Sequence, residues 1–405
     1  MHRILNINNY HFPKGGSDSY FLQQTRLLKQ KGHSVATFSS SRGDIVNPEW
    51  MLVEPPKGID TESKPALSNV ANFFYSKEAK QKLRVVINKF KPDLVHLHIY
   101  YGQLTSSILS VISEFDIPTV QTLHEFKLVC PTNGLFAAGN YCEDCQGKNY
   151  WRAVLKKCNR GSFARSLLSM SEAYFADSLG ARSKINQFIA VSEFQKNKLE
   201  SLGIEGNKMT VIPHFSDSTE NFNSSKGDYF LYVGRIHDDK GIKTLLDAYS
   251  LLNNKSIRLK IVGEGERREY WQEYAAKLDL ANSIDWVGFL QGQSLNDIYR
   301  ECLLLINPSY LNETFGLTCL EALAKGKPVI ASNVGAFSEV ITNGKDGLLF
   351  TPKNAKELAA AMTQFINKKI DVSKMGEYGY LKVRNKFSRQ NHYEKLMGVY
   401  DRLVE

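Results

Sequence analysis

Arg235 and Lys240 stand five residues apart in Gly234-Arg235-Ile236-His237-Asp238-Asp239-Lys240-Gly241, a loop between an apolar strand-like run and a helical one. Two fixed cations at that spacing can neutralise a diphosphate, arginine through its planar fork and lysine as a compact point charge. Farther along, Asn312-Glu313-Thr314-Phe315-Gly316-Leu317 leads into a helical pattern that continues through Leu320, Glu321 and Ala324 and stops at Gly326. The unsatisfied N–H groups of a first helical turn, with the positive end of the helix dipole, form an anion site. Glu313 and Glu321 flank that site eight positions apart. Phosphate repels carboxylate, so two acids beside a phosphate site suit hydroxyl groups, a sugar at one and a ribose at the other. Each piece also has an ordinary reading: Glu313 as a helix-capping acid, Glu321 as a surface residue, the basic loop as a solvated turn. The basic loop lacks the Gly-x-x-x-x-Gly-Lys-Ser/Thr pattern of NTPases. A further glycine turn, Val262-Gly263-Glu264-Gly265-Glu266, also ends a strand-like run.

These residues need a scaffold, and 405 residues exceed what one core organises, which predicts two domains with a cleft between them for a ligand. The opening Arg3–Asn8 reads as a buried strand, followed by the turn Lys14-Gly15-Gly16-Ser17-Asp18 and a helix from Tyr20 to Lys31 that ends at Gly32. β-like runs follow at Ser34–Ser39, Leu94–Leu97, Thr119–Leu123 and Gln187–Val191, with helical stretches between several of them. The rhythm breaks in the polar stretch 216–227, read as a linker. A second series then begins, with strands at Tyr229–Val233, Arg258–Val262, Ile284–Phe289, Leu303–Asn307 and Pro328–Ser332 and a helix at Ile242–Leu252. Two such series predict an α/β protein of two facing Rossmann-like domains, 1–215 and 226–387. Residues 388–405 form an amphipathic helix, with Tyr393, Leu396, Met397, Tyr400 and Leu403 on one side, expected to return to the first domain.

Composition narrows the class. The chain is 42% hydrophobic and 23% charged, as in globular proteins. It has no apolar run near the ~18 residues of a membrane span, and its start turns polar before a signal-peptide core could form. A cytoplasmic protein is the expectation. Of the formal charge of +9, about +8 falls in residues 1–215. The cluster Arg152, Lys156, Lys157, Arg160 and Arg165, set among apolar residues, either lies on an anionic membrane or is an ordinary solvated face. No zinc-finger, helix-turn-helix or aromatic-basic signature accompanies the charge, which argues against nucleic acid. Cys130, Cys142, Cys145 and Cys158 follow a Cys-x11-Cys-x2-Cys-x12-Cys spacing. They could hold a structural zinc or remain reduced and unliganded; in a cytosolic protein, disulfides are disfavoured.

The ordered set Gly234-Arg235…Lys240-Gly241, Val262-Gly263-Glu264-Gly265, Val287-Gly288-Phe289, Glu313-Thr314-Phe315-Gly316-Leu317…Glu321-Ala322 and Gly335…Glu339 resembles the family-4 retaining glycosyltransferases of GT-B architecture, over essentially the whole chain. The resemblance implies that Arg235 and Lys240 bind the diphosphate of a nucleoside-diphosphate sugar. It also implies that Glu313 contacts the transferred sugar and Glu321 the ribose, and that the backbone at Phe315, Gly316 and Leu317 reaches phosphate or sugar. Phe289 and Leu290 occupy the place of the nucleobase cradle. In the first domain, Gly15 and Gly16 match the family's glycine loop, where glycine permits close approach to phosphate. His124, in Thr122-Leu123-His124-Glu125, matches its histidine near the anomeric carbon, with His96 and His98 as rivals. Transfer with retention is implied, to a glycan or lipid-linked acceptor in bacterial surface glycan synthesis. No catalytic cofactor is expected, and because the sequence holds no Asp-x-Asp, fixed cations are expected in place of a divalent metal. A nucleotide-sugar epimerase or a phosphorylase of the same fold, or a non-catalytic nucleotide- or glycan-binding protein, are the competing readings.

Overall fold

The computed structural model describes residues 1–59, 67–216, 222 and 227–405. Much of the expected linker 216–227 therefore lies outside the described residues. The chain divides into two compact units. The first comprises Met1–Ala138, Cys142–Ile212 and Tyr393–Glu405; the second comprises Gly139–Tyr141 and Pro213–His392.

Unit 1 is built on a six-stranded sheet. Its strands are β1 (Arg3–Ile7), β2 (Ser34–Phe38), β3 (Leu94–Leu97) and β4 (Thr119–Leu123), then, beyond the two-residue strands β5 (Phe136–Ala137) and β6 (Asn140–Tyr141), β7 (Gln187–Ala190) and β8 (Met209–Val211). The spatial order is β2-β1-β3-β4-β7-β8, and every pair is parallel. Parallel strands covered by helices on both faces must be apolar along their length rather than alternating. That is why β1 and β4 show almost unbroken burial. Unit 2 repeats the plan with β9 (Tyr229–Val233), β10 (Arg258–Val262), β11 (Ile284–Gly288), β12 (Leu304–Asn307), β13 (Val329–Ser332) and β14 (Gly347–Phe350), in the order β11-β10-β9-β12-β13-β14 and again all parallel. Two Rossmann-like α/β domains are thus present.

Local departures have physical causes. The first helix starts at Gly16 rather than Tyr20, because Gly15 is extended at its N-cap and Asp18 in the first turn faces the positive end of the dipole. The strands β8 and β14 close the two sheets at an edge, where three or four residues suffice. The helix Arg389–Val404 sends Leu396, Val399 and Tyr400 into a cluster with Ile4, Leu28, Val35, Leu94, Val120, Ile189 and Ile212 of unit 1. Among the described residues no helix is long and apolar enough to cross a membrane.

Candidate functional site

In unit 2 the strands β9, β10 and β12 are neighbours and parallel, so the loops at their C-terminal ends emerge at one sheet edge. These loops carry Arg235 and Lys240, the Gly263 turn, and the segment leading to Glu313. They lie backbone against backbone: Gly234 N–H donates to the Val262 carbonyl at 3.0 Å, and Ile236 N–H to the Glu264 carbonyl at 2.9 Å. Glycine is required in this contact. A Cβ on Gly263, whose φ is +136°, would stand 1.9 Å from the Gly234 carbonyl oxygen, and one on Gly241 would stand 1.9 Å from that of Pro308.

The charged groups of this edge meet each other. Lys240 Nζ lies 2.5 Å from Glu313 Oε1, which also accepts from Ser309 Oγ at 2.9 Å. Arg235 pairs with Asp239 at 3.2 Å but is 60% exposed, so its guanidinium remains open to an anion from solvent. Glu313 is not a helix cap. The helix Leu317–Ala324 begins after Gly316, which sits in the left-handed region at φ +100° with no side-chain cap. Its backbone bonds start with Cys319 and Leu320 N–H donating to the Gly316 carbonyl. The N–H groups of Leu317 and Thr318 precede that ladder, at the helix end where an anion would be favoured.

Glu321 is not a free surface acid either: it accepts from Tyr299 Oη at 2.8 Å, and burial pushes its carboxyl above the usual range. The Phe315 side chain is 2% exposed and packs edge-on against His214 and Phe387. Only its backbone is available to a ligand. Phe289 is 55% exposed at the end of β11, an aromatic face open to stacking, with half-buried Leu290 beside it.

In unit 1, Gly15 has an extended φ of −156°, and a Cβ there would meet only Asp18 Oδ2 at an ordinary 3.8 Å. The fold itself does not require glycine at that point. His124 follows β4, and its ring belongs to a relay that the sequence did not reveal. Thr25 Oγ1 donates to the Phe21 carbonyl at 2.8 Å and so accepts from Asn6 Nδ2 at 2.7 Å. This turns Asn6 Oδ1 toward His98 Nε2 at 2.9 Å, where Gln24 Oε1 is a second acceptor at 3.0 Å. Two oxygens at Nε2 place the His98 proton there. His98 is fully buried and stacked on His96 at 4.6 Å. Its Nδ1 then accepts from His124 Nε2 at 3.0 Å. In this bond His124 carries its proton on Nε2. His96, the other rival, bridges Thr122 and Tyr400 within the core.

Burial lowers the His124 imidazole from 6.5 to about 3. Below pH 6.5 the unfolded chain therefore binds a proton that the folded one refuses, and stability falls as pH drops from 6.5 toward 3. The expected result is a denaturation midpoint that declines less between pH 6.5 and 5 in His124→Gln than in the wild type. In histidine ¹⁵N spectra His124 should show a pyrrole-type Nε2 and a pyridine-type Nδ1; the reverse assignment would break the relay.

The four cysteines are close enough for their charges to interact. Among the described residues no group of three or more His, Cys, Asp or Glu side chains could hold a metal ion. Cys130 Sγ sits beside Thr132 Oγ1 at 3.5 Å, while Cys142 Sγ accepts a hydrogen bond from Lys156 Nζ at 3.4 Å. Burial, reinforced by the neighbouring thiols, pushes Cys145 up to about 12 and Cys158 up to about 11. All six cysteines of the chain are free thiols.

Residues 14–220 match the model of Glycosyltransferase Family 4, and residues 216–382 that of Glycosyl transferases group 1. An uncharacterized glycosyltransferase of Methanocaldococcus jannaschii is 29% identical over 222 residues, covering 54% of this chain and 59% of the relative. A capsular polysaccharide biosynthesis glycosyltransferase of Staphylococcus aureus is 27% identical over 246 residues, covering 54% and 62%. The chain thus spans about three-fifths of the length of these relatives. Among solved structures, the sucrose-phosphate synthase of Thermosynechococcus elongatus aligns over 99% of this chain and 98% of its own, with a TM-score of 0.75 and 18% identity. Anabaena HepE in complex with UDP-glucose aligns over 100% of both chains, with a TM-score of 0.70 and 17% identity. These likenesses establish the GT-B fold.

Proposed function

The chain belongs to glycosyltransferase family 4, and on that ground we propose that it moves a sugar, with retention of configuration, from a nucleoside-diphosphate sugar to a glycan or lipid-linked acceptor. The observation that carries this reading is the meeting of Lys240, Glu313 and Ser309 beside the start of the helix Leu317–Ala324, at the edge that also bears Arg235. Anion-binding and hydroxyl-binding groups stand side by side there, as a sugar diphosphate demands.

In the proposed reaction Arg235, Lys240 and the amides of Leu317 and Thr318 take up the charge that grows on the departing diphosphate. These fixed cations serve where other transferases use a divalent ion. Glu313 accepts from hydroxyls of the transferred sugar and Glu321 from the ribose. Phe289 stacks on the base, Leu290 lies along it, and the backbone of Phe315 and Gly316 lines the donor. A donor phosphate oxygen takes the acceptor proton. To unit 1 we assign the acceptor, with Gly15 and Gly16 allowing close backbone approach to phosphate and His124 as its cleft histidine. HepE was solved with UDP-glucose and the Staphylococcus relative is named for capsular polysaccharide biosynthesis, which favours a uridine donor and a surface glycan; the positive charge of residues 1–215 favours work at the cytoplasmic face of an anionic membrane.

A thermal-shift screen of nucleotide sugars tests the donor, because a ligand of the folded state raises the melting temperature by mass action. The sugar that stabilises the protein is then incubated with glycan and lipid-linked acceptors and the product's anomeric configuration is read by NMR. An inverted product overturns retention. Donor converted to a new nucleotide sugar without acceptor points instead to an epimerase, and binding with no turnover to a non-catalytic protein.

A further inference from the structure

The helix Phe163–Ser178 packs Ala176 on the core and Phe175 against Phe74 and Tyr75, yet its fully buried positions are mostly polar and several of its apolar ones are exposed. Its inward side chains are Ser166, Ser169, Glu172 and Ala173, while Phe163, Leu167 and Tyr174 are 58%, 42% and 38% exposed. With half-buried Met170 between them, these apolar residues follow one another at spacings of four, three and four, a single stripe along the outer face. The inward polar residues are occupied. Ser166 accepts from Asn159 N–H at 3.0 Å, Ser169 from Asn159 Nδ2 at 2.8 Å, and Glu172 pairs with Lys127 at 2.5 Å. The loop before the helix needs those partners, so the apolar stripe faces solvent. The short helix Arg152–Leu155 packs against this one and adds Trp151 and Leu155, 45% and 70% exposed.

Charge accompanies this surface. From Cys145 to Ser171 the chain holds six cations, Lys148, Arg152, Lys156, Lys157, Arg160 and Arg165, and no acid. Asp144, just before the stretch, engages Lys156 at 2.6 Å and Arg152 at 4.0 Å, and Asp177 of the helix itself pairs with Lys148 at 3.4 Å, so two acids face six cations and the excess stays positive. Single exposed hydrophobic residues need no explanation, but an aligned set of them among cations does.

We propose that this face of unit 1, formed by Trp151, Leu155, Phe163, Leu167 and Tyr174 with the cations around them, docks on an anionic lipid bilayer. The apolar stripe enters the boundary between headgroups and acyl chains, and the lysine and arginine ammonium and guanidinium groups reach lipid phosphates while their stems lie along the apolar surface. A second copy of the chain is a poorer occupant, because a two-fold contact would set six cations against six. Nucleic acid would match the cations but leave the stripe in water. The inference gives a location to the membrane contact proposed above, and vesicle binding reads it without any sugar transfer.

The full chain is sedimented with vesicles of phosphatidylglycerol and phosphatidylcholine, and with vesicles of phosphatidylcholine alone. Wild type should pellet with the anionic vesicles and largely remain in solution with the neutral ones. Phe163→Glu/Leu167→Glu, and separately Leu155→Glu/Trp151→Glu, should each lower partitioning about tenfold or more, with unchanged thermal unfolding. The outward positions of these side chains keep the fold out of the comparison. Equal pelleting with both vesicles, no pelleting with either, or variants that pellet like wild type would overturn the proposal. So would a wild-type dimer in sedimentation velocity that the Phe163→Glu/Leu167→Glu variant dissociates.

Discussion

Lys240→Ala lowers turnover about a hundred- to a thousandfold, the loss seen when one fixed group that stabilises developing negative charge is removed. Two effects act in the same direction. The diphosphate loses a cation, and Glu313, whose charge Lys240 neutralises at 2.5 Å, is left facing the phosphates with only Ser309 as a partner. Folding should change little, since Lys240 contributes no core packing and the loop is held by backbone contacts with the Gly263 turn. The measurement is kcat under saturating donor, beside circular dichroism and a melting curve. Lys243→Ala is the control: it lies one turn on, is 55% exposed and pairs with Asp247, and it should keep wild-type turnover. A Lys240→Ala enzyme within about threefold of wild type would place the diphosphate elsewhere.

Glu313→Gln keeps the shape and the bond from Ser309 but gives up the charge, and it should reduce kcat about a hundredfold, because a sugar hydroxyl donates far more strongly to a carboxylate than to an amide. The sharper expectation concerns the double variant. In either single variant one charge of the Lys240–Glu313 pair survives without its partner, a penalty that belongs to the variant and not to the reaction. Lys240→Ala/Glu313→Gln carries no such orphan, so its loss should fall well short of the product of the two single losses. A multiplicative result would mean that the ion pair has no part in setting the site.

How much of this was legible beforehand follows from where each signal lives. The two sheets were readable because strands buried on both faces must be apolar throughout, and the glycines that end them stand beside those runs in the sequence. The edge strands β8 and β14 were not, being short and bordered by polar residues. Arg235, Lys240, Glu313 and Glu321 could be picked out through their ordered spacing, but their pairing could not: Lys240 and Glu313 are 73 residues apart. The relay behind His124 was hidden for the same reason, since Asn6 and His98 are separated by 92 residues. The two-residue spacing of His96 and His98 at the end of β3, which puts both on one face, was its only local trace. The helix Phe163–Ser178 escaped a periodicity argument because its stripe points outward, and such arguments assume the opposite. Between a zinc set and four unliganded thiols the sequence could not choose, because spacing bounds how near the cysteines can come and says nothing of how their side chains are turned.

The helix Arg389–Val404 also sets the order in which the molecule can mature. Leu396, Val399 and Tyr400 are made after both sheets have been synthesised, yet they complete the cluster that contains Ile4 and Val35, and Tyr400 closes the bond to His96. On the ribosome, unit 2 can bury its core while unit 1, although translated first, still waits for its last side chains. The histidine relay therefore acquires this support only after unit 2 has been translated.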